Sequence, residues 1–161
     1  MLPSQSAPLN TTMIRKAKVK DIKAVYELIN FFAKKDLMLP RAISDLYDDI
    51  RDFLIYEEND AVFGCCALHV SWDDLAEIRS LAVDESKQKL GIGKQLVQAC
   101  IDEAKELGVK KVFVLTYVPE HFEKFGFVRI NKSALPRKVW GECLSCVKFP
   151  DCSEIPLIKE L

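Results

Sequence analysis

The chain has 161 residues, with 23 Lys and Arg against 24 Asp and Glu, and a formal net charge of −1 at pH 7. One domain fits this length, and near-neutrality leaves no basic footprint for holding nucleic acid. Hydrophobic residues make up 49% and charged residues 29%, a balance that supports a packed core and excludes general disorder. No apolar run approaches the ~18 residues of a membrane span, and the first dozen residues lack the basic start and apolar stretch of a secretory signal. The expected compartment is therefore the cytoplasm, without membrane partners.

Residues 1–12 are rich in Ser, Pro, Asn and Thr without periodicity, which predicts a flexible extension ahead of a single domain over 13–161. Residues 13–19 alternate as a strand does. Asp21 is placed to cap a helix whose Ile22, Val25, Tyr26, Ile29 and Phe32 share one apolar face. Beyond Pro40 and Arg41, the spacing of Leu46, Ile50 and Phe53 predicts a second helix over 43–53. Residues 53–56 and 61–70, divided by Glu57-Glu58-Asn59-Asp60, have the composition of an antiparallel hairpin.

A further strand is predicted over 76–83, with Glu77 and Arg79 on one face and Ile78 and Ser80 on the other. Ile92, Leu96, Val97, Cys100, Ile101, Ala104 and Leu107 form one stripe of a long helix over 91–107, which Gly108 ends. A buried strand over 111–116, a short helix over 120–125, a strand over 127–130 and a last strand over 155–159 complete the order. One long helix among strands joined mostly as hairpins predicts a mixed α/β sheet, not a doubly wound one.

Residues 81–94 read strand, polar turn, two glycines, long helix, which is the layout of an anion cradle. Glycines let backbone N–H groups approach a phosphate, and the positive end of the helix favours its charge. A P-loop would need Gly at 88 and Ser or Thr at 95, where this chain has Gln88 and Gln95. A dinucleotide fingerprint would need a small residue at 96, which is Leu96, and a later acidic residue at a strand end, where Thr116 stands.

Gln88-x-x-Gly91-x-Gly93 instead resembles the acetyl-coenzyme A signature of the GNAT acetyltransferases, and Phe122-Glu123-Lys124-Phe125-Gly126-Phe127 resembles their later helix-to-strand signature. The resemblance implies the GNAT fold, a mixed, largely antiparallel central sheet flanked by about four helices. It implies acetyl-CoA as cosubstrate, and it places backbone amides of Gln88, Lys89, Leu90, Gly91, Ile92, Gly93 and Lys94 on the pyrophosphate. Lys89 or Lys94 would add charge outside. Leu81, Ala82 and Val83 would bond the pantetheine amides and polarise the thioester carbonyl.

Within the family, the stretch 35–41, Gly64-Cys65-Cys66-Ala67-Leu68, Ala76-Glu77, Val112-Phe113-Val114-Leu115-Thr116 and Leu135-Pro136 are similar to the acetyltransferase domain of bacterial N-acetylglutamate synthases. That similarity implies L-glutamate as acceptor, direct attack in one ternary complex, no metal, and a step that opens arginine biosynthesis. The longer synthases add a kinase-like domain for which 161 residues leave no room, so a catalytic domain standing alone, free or as a homodimer, is expected. Another amino acid, a protein N-terminus, or a non-catalytic acyl-CoA sensor are the alternatives.

The chemistry asks for a neutral amine, and an α-amino group holds its proton until about pH 8, so a base is required. Glu77 matches the family's acidic position; its bland alternative is an ion pair with Arg79. A carboxylate-bearing acceptor calls for Arg, whose planar fork donates two hydrogen bonds, and Arg41 and Arg79 are the candidates ahead of Arg137 and Lys138. The family's usual tyrosine donor to the thiolate is replaced by Phe122, leaving Thr116 or Tyr117 for that role. His69 reads as a core or rim residue, and His121 receives no role. Cys143, Cys146 and Cys152 are one ligand short of a closed zinc site, so no metal is assigned, and the six cysteines read as reduced thiols.

Overall fold

The computed structural model describes residues 11–136, Val139 and 154–161. The elements are β1 (Thr12–Lys16), α1 (Ile22–Ala33), α2 (Ile43–Asp48), β2 (Phe53–Glu58), β3 (Ala61–Trp72), β4 (Leu75–Val83), α3 (Ile92–Glu106), β5 (Lys111–Thr116), α4 (Pro119–Glu123), β6 (Val128–Arg129) and β7 (Ile155–Glu160). The strands form one sheet in the order β1-β2-β3-β4-β5-β7-β6, antiparallel throughout except for the parallel pair β4–β5. This is the mixed, largely antiparallel sheet with flanking helices that the resemblance implied.

α3 covers one face. Its buried Ile92, Leu96, Val97 and Ile101 pack on Leu54, Cys66, Ile78 and Val112, and each such aliphatic contributes roughly 1.5–3 kcal/mol relative to exposure. α1 and α2 cover the other face of β2–β4 through Ile22, Val25, Ile29, Leu46, Phe53 and Ile55. A smaller cluster of Leu75, Phe113, Leu135 and Val139 lies on that same side under β5 and β7. The gap between the last two clusters is where the site forms.

Several boundaries differ from expectation for physical reasons. Thr11 and Asn59 exchange hydrogen bonds at 3.2 and 2.9 Å, so order starts before Met13; residues 1–10 lie outside the described residues. Asp21 caps a short 3-10 turn rather than α1: its carboxylate accepts the Lys18 N–H at 2.7 Å and two Arg15 bonds at 2.8 and 3.0 Å. Burial alone would raise its pKa, but Arg15 and the Lys18 N–H together hold it below the ordinary value. Leu28, not Tyr26, completes the buried stripe of α1, and Tyr26 is 37% exposed. α2 stops at Asp48 because Asp49 leaves helical geometry, and a second 3-10 turn, 50–52, leads into β2.

The feature that makes a site is a divergence. β4 and β5 pair only over Leu75↔Lys111, Ala76↔Val112 and Glu77↔Phe113, although β4 runs on to Val83 and β5 to Thr116. β4 bends away at Ser80, which has a φ of +57°. There the register against β3 moves from Ala67↔Arg79 to Cys65↔Ala82, so one extra β4 residue is inserted. Among the described residues the β4 edge from Ile78 to Val83 therefore has no strand partner on the β5 side.

Candidate active site

The wedge between β4 and β5 opens onto the glycine loop. Asp84 turns the chain after β4, accepting the Ser86 N–H at 3.0 Å, and Gln88 donates back to the Val83 carbonyl at 3.1 Å. Lys89 and Gly91 adopt positive φ, +64° and +82°. The first i→i−4 bond of α3 runs from Gln95 N–H to Gly91 C=O at 3.1 Å, so the N–H groups of Ile92, Gly93 and Lys94 precede any helical acceptor. Only Gly91 needs glycine for backbone reasons, because a Cβ on Gly93 would meet Val83 Cγ2 at an ordinary 3.8 Å. Lys87 is bound to Glu58 at 3.2 Å, whereas Lys89 and Lys94 have no ion pair among the described residues. Leu81 and Val83 line the α3 side and Ala82 the other.

Across the wedge the site is built from side chains. The Asn30 carboxamide of α1 binds both backbone groups of Arg41, donating to its carbonyl at 3.0 Å and accepting its N–H at 3.3 Å. That fixes Arg41 over β4. Its guanidinium reaches Asp49 Oδ2 at 2.7 Å and Ser80 Oγ at 3.3 Å, so Ser80, displaced by the bulge, joins the Arg79 side instead of the opposite face. Arg79 donates to the same Asp49 oxygen at 3.3 Å and approaches Glu77 Oε1 at 3.5 Å. Glu77 is 7% exposed and sits at the last paired position of β4, opposite His69 of β3. The ion pair with Arg79 is thus present, at 3.5 Å.

His69 lies at the rim beside these residues, with Nδ1 2.6 Å from Asp52 Oδ2. Asp49, Asp52 and His69 bring donor atoms within 4.8 Å of one another, yet Asp49 already faces two guanidiniums, which is poor chemistry for a cation site. Thr116, 8% exposed, accepts the Val118 N–H at 3.0 Å through Oγ1, leaving its hydroxyl proton to donate. Alternation along β5 puts Thr116 with Val112 and Val114 on the α3 side, and Tyr117 follows it at the strand's end. Phe122 is buried against Phe125 and Phe127, so no phenol stands there.

His121 edges against Phe122 and Phe125 beside Lys94 and Lys124, and burial followed by the Lys124 charge lowers its pKa. Three residues of this region escaped the sequence reading: Asn30, Asp49 and Glu154. Glu154, just ahead of β7, is buried, and desolvation with the charge of Glu77 pushes its carboxyl up to about 7. Arg137, Lys138, Cys143, Cys146 and Cys152 fall outside the described residues. Cys65, Cys66 and Cys100 are buried free thiols; burial pushes Cys65 up to about 12, and a bond to Cys100 plus burial raise Cys66, so both stay protonated at neutral pH.

The acetyltransferase (GNAT) family pattern matches residues 19–127. An uncharacterized N-acetyltransferase of Chlorobaculum tepidum is 37% identical over 154 residues, 96% of this chain and 99% of that protein. The amino-acid acetyltransferase of Mycobacterium tuberculosis is 35% identical over 133 residues, 81% of this chain and 76% of its own. A solved structure of N-acetylglutamate synthase from Neisseria gonorrhoeae, complexed with coenzyme A and N-acetyl-glutamate, superposes with a TM-score of 0.83 at 28% identity over 94% of this chain and 35% of that one. The fold and the family match define an acetyl-CoA-dependent acyltransferase. The chain belongs to the GNAT acetyltransferase family. Among the described residues no helix is long and apolar enough to cross a membrane.

Proposed function

We propose that this protein transfers the acetyl group of acetyl-CoA to the α-amine of an amino acid, L-glutamate, by direct attack within one ternary complex. Support for the amino-acid class comes from the names of its relatives in Mycobacterium tuberculosis and Neisseria gonorrhoeae. The observation that carries the reading is the convergence of Arg41 and Arg79 on a single carboxylate oxygen, 2.7 and 3.3 Å away, next to Glu77. Each guanidinium has five donors, so an acceptor carboxylate can share or replace Asp49 there.

In this reading the pyrophosphate lies on the N–H groups at the start of α3, with Lys89 and Lys94 outside, and the pantetheine arm runs along the free edge of Leu81, Ala82 and Val83. Backbone donors on that edge polarise the thioester carbonyl, stabilising the charge that develops during attack. Glu77 removes a proton from the ammonium directly or through one water, and the Thr116 hydroxyl, or Tyr117 beside it, protonates the departing thiolate. The product is an N-acetylated amino acid of the kind that enters arginine biosynthesis, and the reaction is cytoplasmic.

Thiol release with each of the twenty amino acids, glutamate and glutamine included, tests the assignment. Glutamate is expected to give the highest kcat/KM. Equal rates with glutamate and leucine overturn the acceptor, and binding of acetyl-CoA with no thiol released by any amino acid makes the protein an acyl-CoA sensor.

A further inference from the structure

Glu154 is 9% exposed, and the acetyl-transfer scheme above gives it no task. β7 pairs Ile155 with Thr116, which puts Glu154 beside the end of β5 at the mouth of the wedge. Along β7, Ile155 and Leu157 pack toward α3 and Ile158 toward the opposite cluster, so alternation sends Glu154 to the side of the sheet that carries Glu77. Among the described residues its carboxyl makes no hydrogen bond or ion pair. A carboxyl nine-tenths buried without a partner is costly unless a proton or a cationic ligand completes it.

We propose that Glu154 and Glu77 together form the seat of the acceptor's ammonium group, with Glu154 taking one of the protons that the nitrogen gives up. This rests on the amino-acid acetyltransferase reading. An ammonium nitrogen bearing three protons becomes an amide nitrogen bearing one. The first proton must leave before attack, so that the lone pair can form the C–N bond at the thioester carbonyl. The second leaves as the C–S bond breaks and its electron pair departs on sulfur. One of the two protons ends on sulfur and the other in solvent. A single carboxylate would have to hold both in succession; with two, one proton passes through Glu77 while Glu154 holds the other.

The groups that set this titration come from every side. Glu154 faces Glu77 of β4, which raises its pKa, and Lys132 of the turn after β6, which lowers it, on top of the larger effect of burial. Glu77 faces Arg79 on its own strand and His69 of β3, itself held by Asp52. Because the Glu154 carboxyl is raised to about 7, it is mostly protonated below that pH and able to accept a proton above it. His69 is a second titratable group, facing Glu77 from β3, so the test must separate the two.

In the parent enzyme kcat/KM for the acceptor is expected to rise through about pH 7 and level off. Glu154→Gln should remove that rise and lower the plateau by about 100-fold while leaving the acetyl-CoA KM unchanged. Glu154→Asp should restore a titrating limb, and His69→Gln should leave the limb in place. Carbon-13 NMR of protein labelled at glutamate Cδ, with no substrate present, should find a carboxyl titrating near 7 that moves down in Glu77→Gln. A Glu154→Gln enzyme with parental plateau and parental limb overturns the proposal. So does an ordinary acidic titration of Glu154 in the resting protein, a result that stands even where the variant does not fold. Failure of the glutamate assignment looks different: another amino acid becomes the best acceptor while the limb and the NMR titration persist.

Discussion

The two walls of the wedge are made of different material. On the proposed cosubstrate side the groups are backbone: a strand edge without a neighbour among the described residues, a loop with two positive-φ residues, and the first N–H groups of a long helix. On the acceptor side they are side chains from α1, β4 and the segments around α2, and they already bind one another, with Asp49 bridging Arg41 and Arg79. A backbone wall presents the same donors whatever the side chains are, so it suits a ligand common to a whole family. A side-chain wall can be altered one residue at a time, so it suits the partner that distinguishes one member from another.

The sharpest way to separate the walls is Glu77→Gln, which keeps shape and removes the proposed base. It should lower kcat by about 10²–10⁴-fold, with acetyl-CoA affinity unchanged by calorimetry. An equal loss of acetyl-CoA binding would mean that the walls are not separable. Next, Arg41→Ala deletes charge-assisted hydrogen bonds worth about 1.5–3 kcal/mol, so KM for the acceptor should rise by about 10–100-fold with kcat largely kept. A parental acceptor KM removes Arg41 from the site.

On the backbone wall, Gly91→Ala forces a Cβ into positive φ at a cost of about 1–2 kcal/mol, which should appear both in thermal stability and in acetyl-CoA KM. The smallest effect is the most discriminating. Gly93→Ala has room in the fold and gains helix propensity of up to about 1 kcal/mol, so thermal stability should hold or rise. If acetyl-CoA binding weakens all the same, that glycine serves the ligand and not the helix; unchanged binding would take Gly93 out of the cradle.

This division also explains what could be read from the sequence. The α3 stripe, the buried run of β5 and the glycine spacing are local patterns that appear where their periods predict, except that Leu107 falls past the end of α3 and is 58% exposed, because the helix stops at Glu106 ahead of Gly108. Glu77 and Arg41 could be proposed because family motifs mark them, and the fold carries both to the same side of β4. Asp49 was not, because its meeting with Arg79 thirty residues away depends on where α2 ends and how α2 lies over β4. Ser80 went to the wrong face because strict alternation cannot anticipate an inserted residue. Glu154 carried no signal, since its proximity to Glu77 arises only when β7 closes onto β5. Tyr26 and Leu28 both border the α1 stripe, and the phenolic oxygen favours the wetter position.

Because only three residue pairs join β4 to β5, the sheet is close to being two half-sheets held by a short seam and by α3 packing across it. A ligand that lies along the open edge acts as a missing strand, so folding and binding are thermodynamically linked. Acetyl-CoA at a hundred times its Kd would stabilise the native state by about 2.7 kcal/mol if it binds only the folded chain. Those β4 amides beyond Glu77 that point away from β3 should then exchange with solvent readily in the empty protein and slow in the complex, which makes cosubstrate supply a determinant of how long the enzyme stays folded.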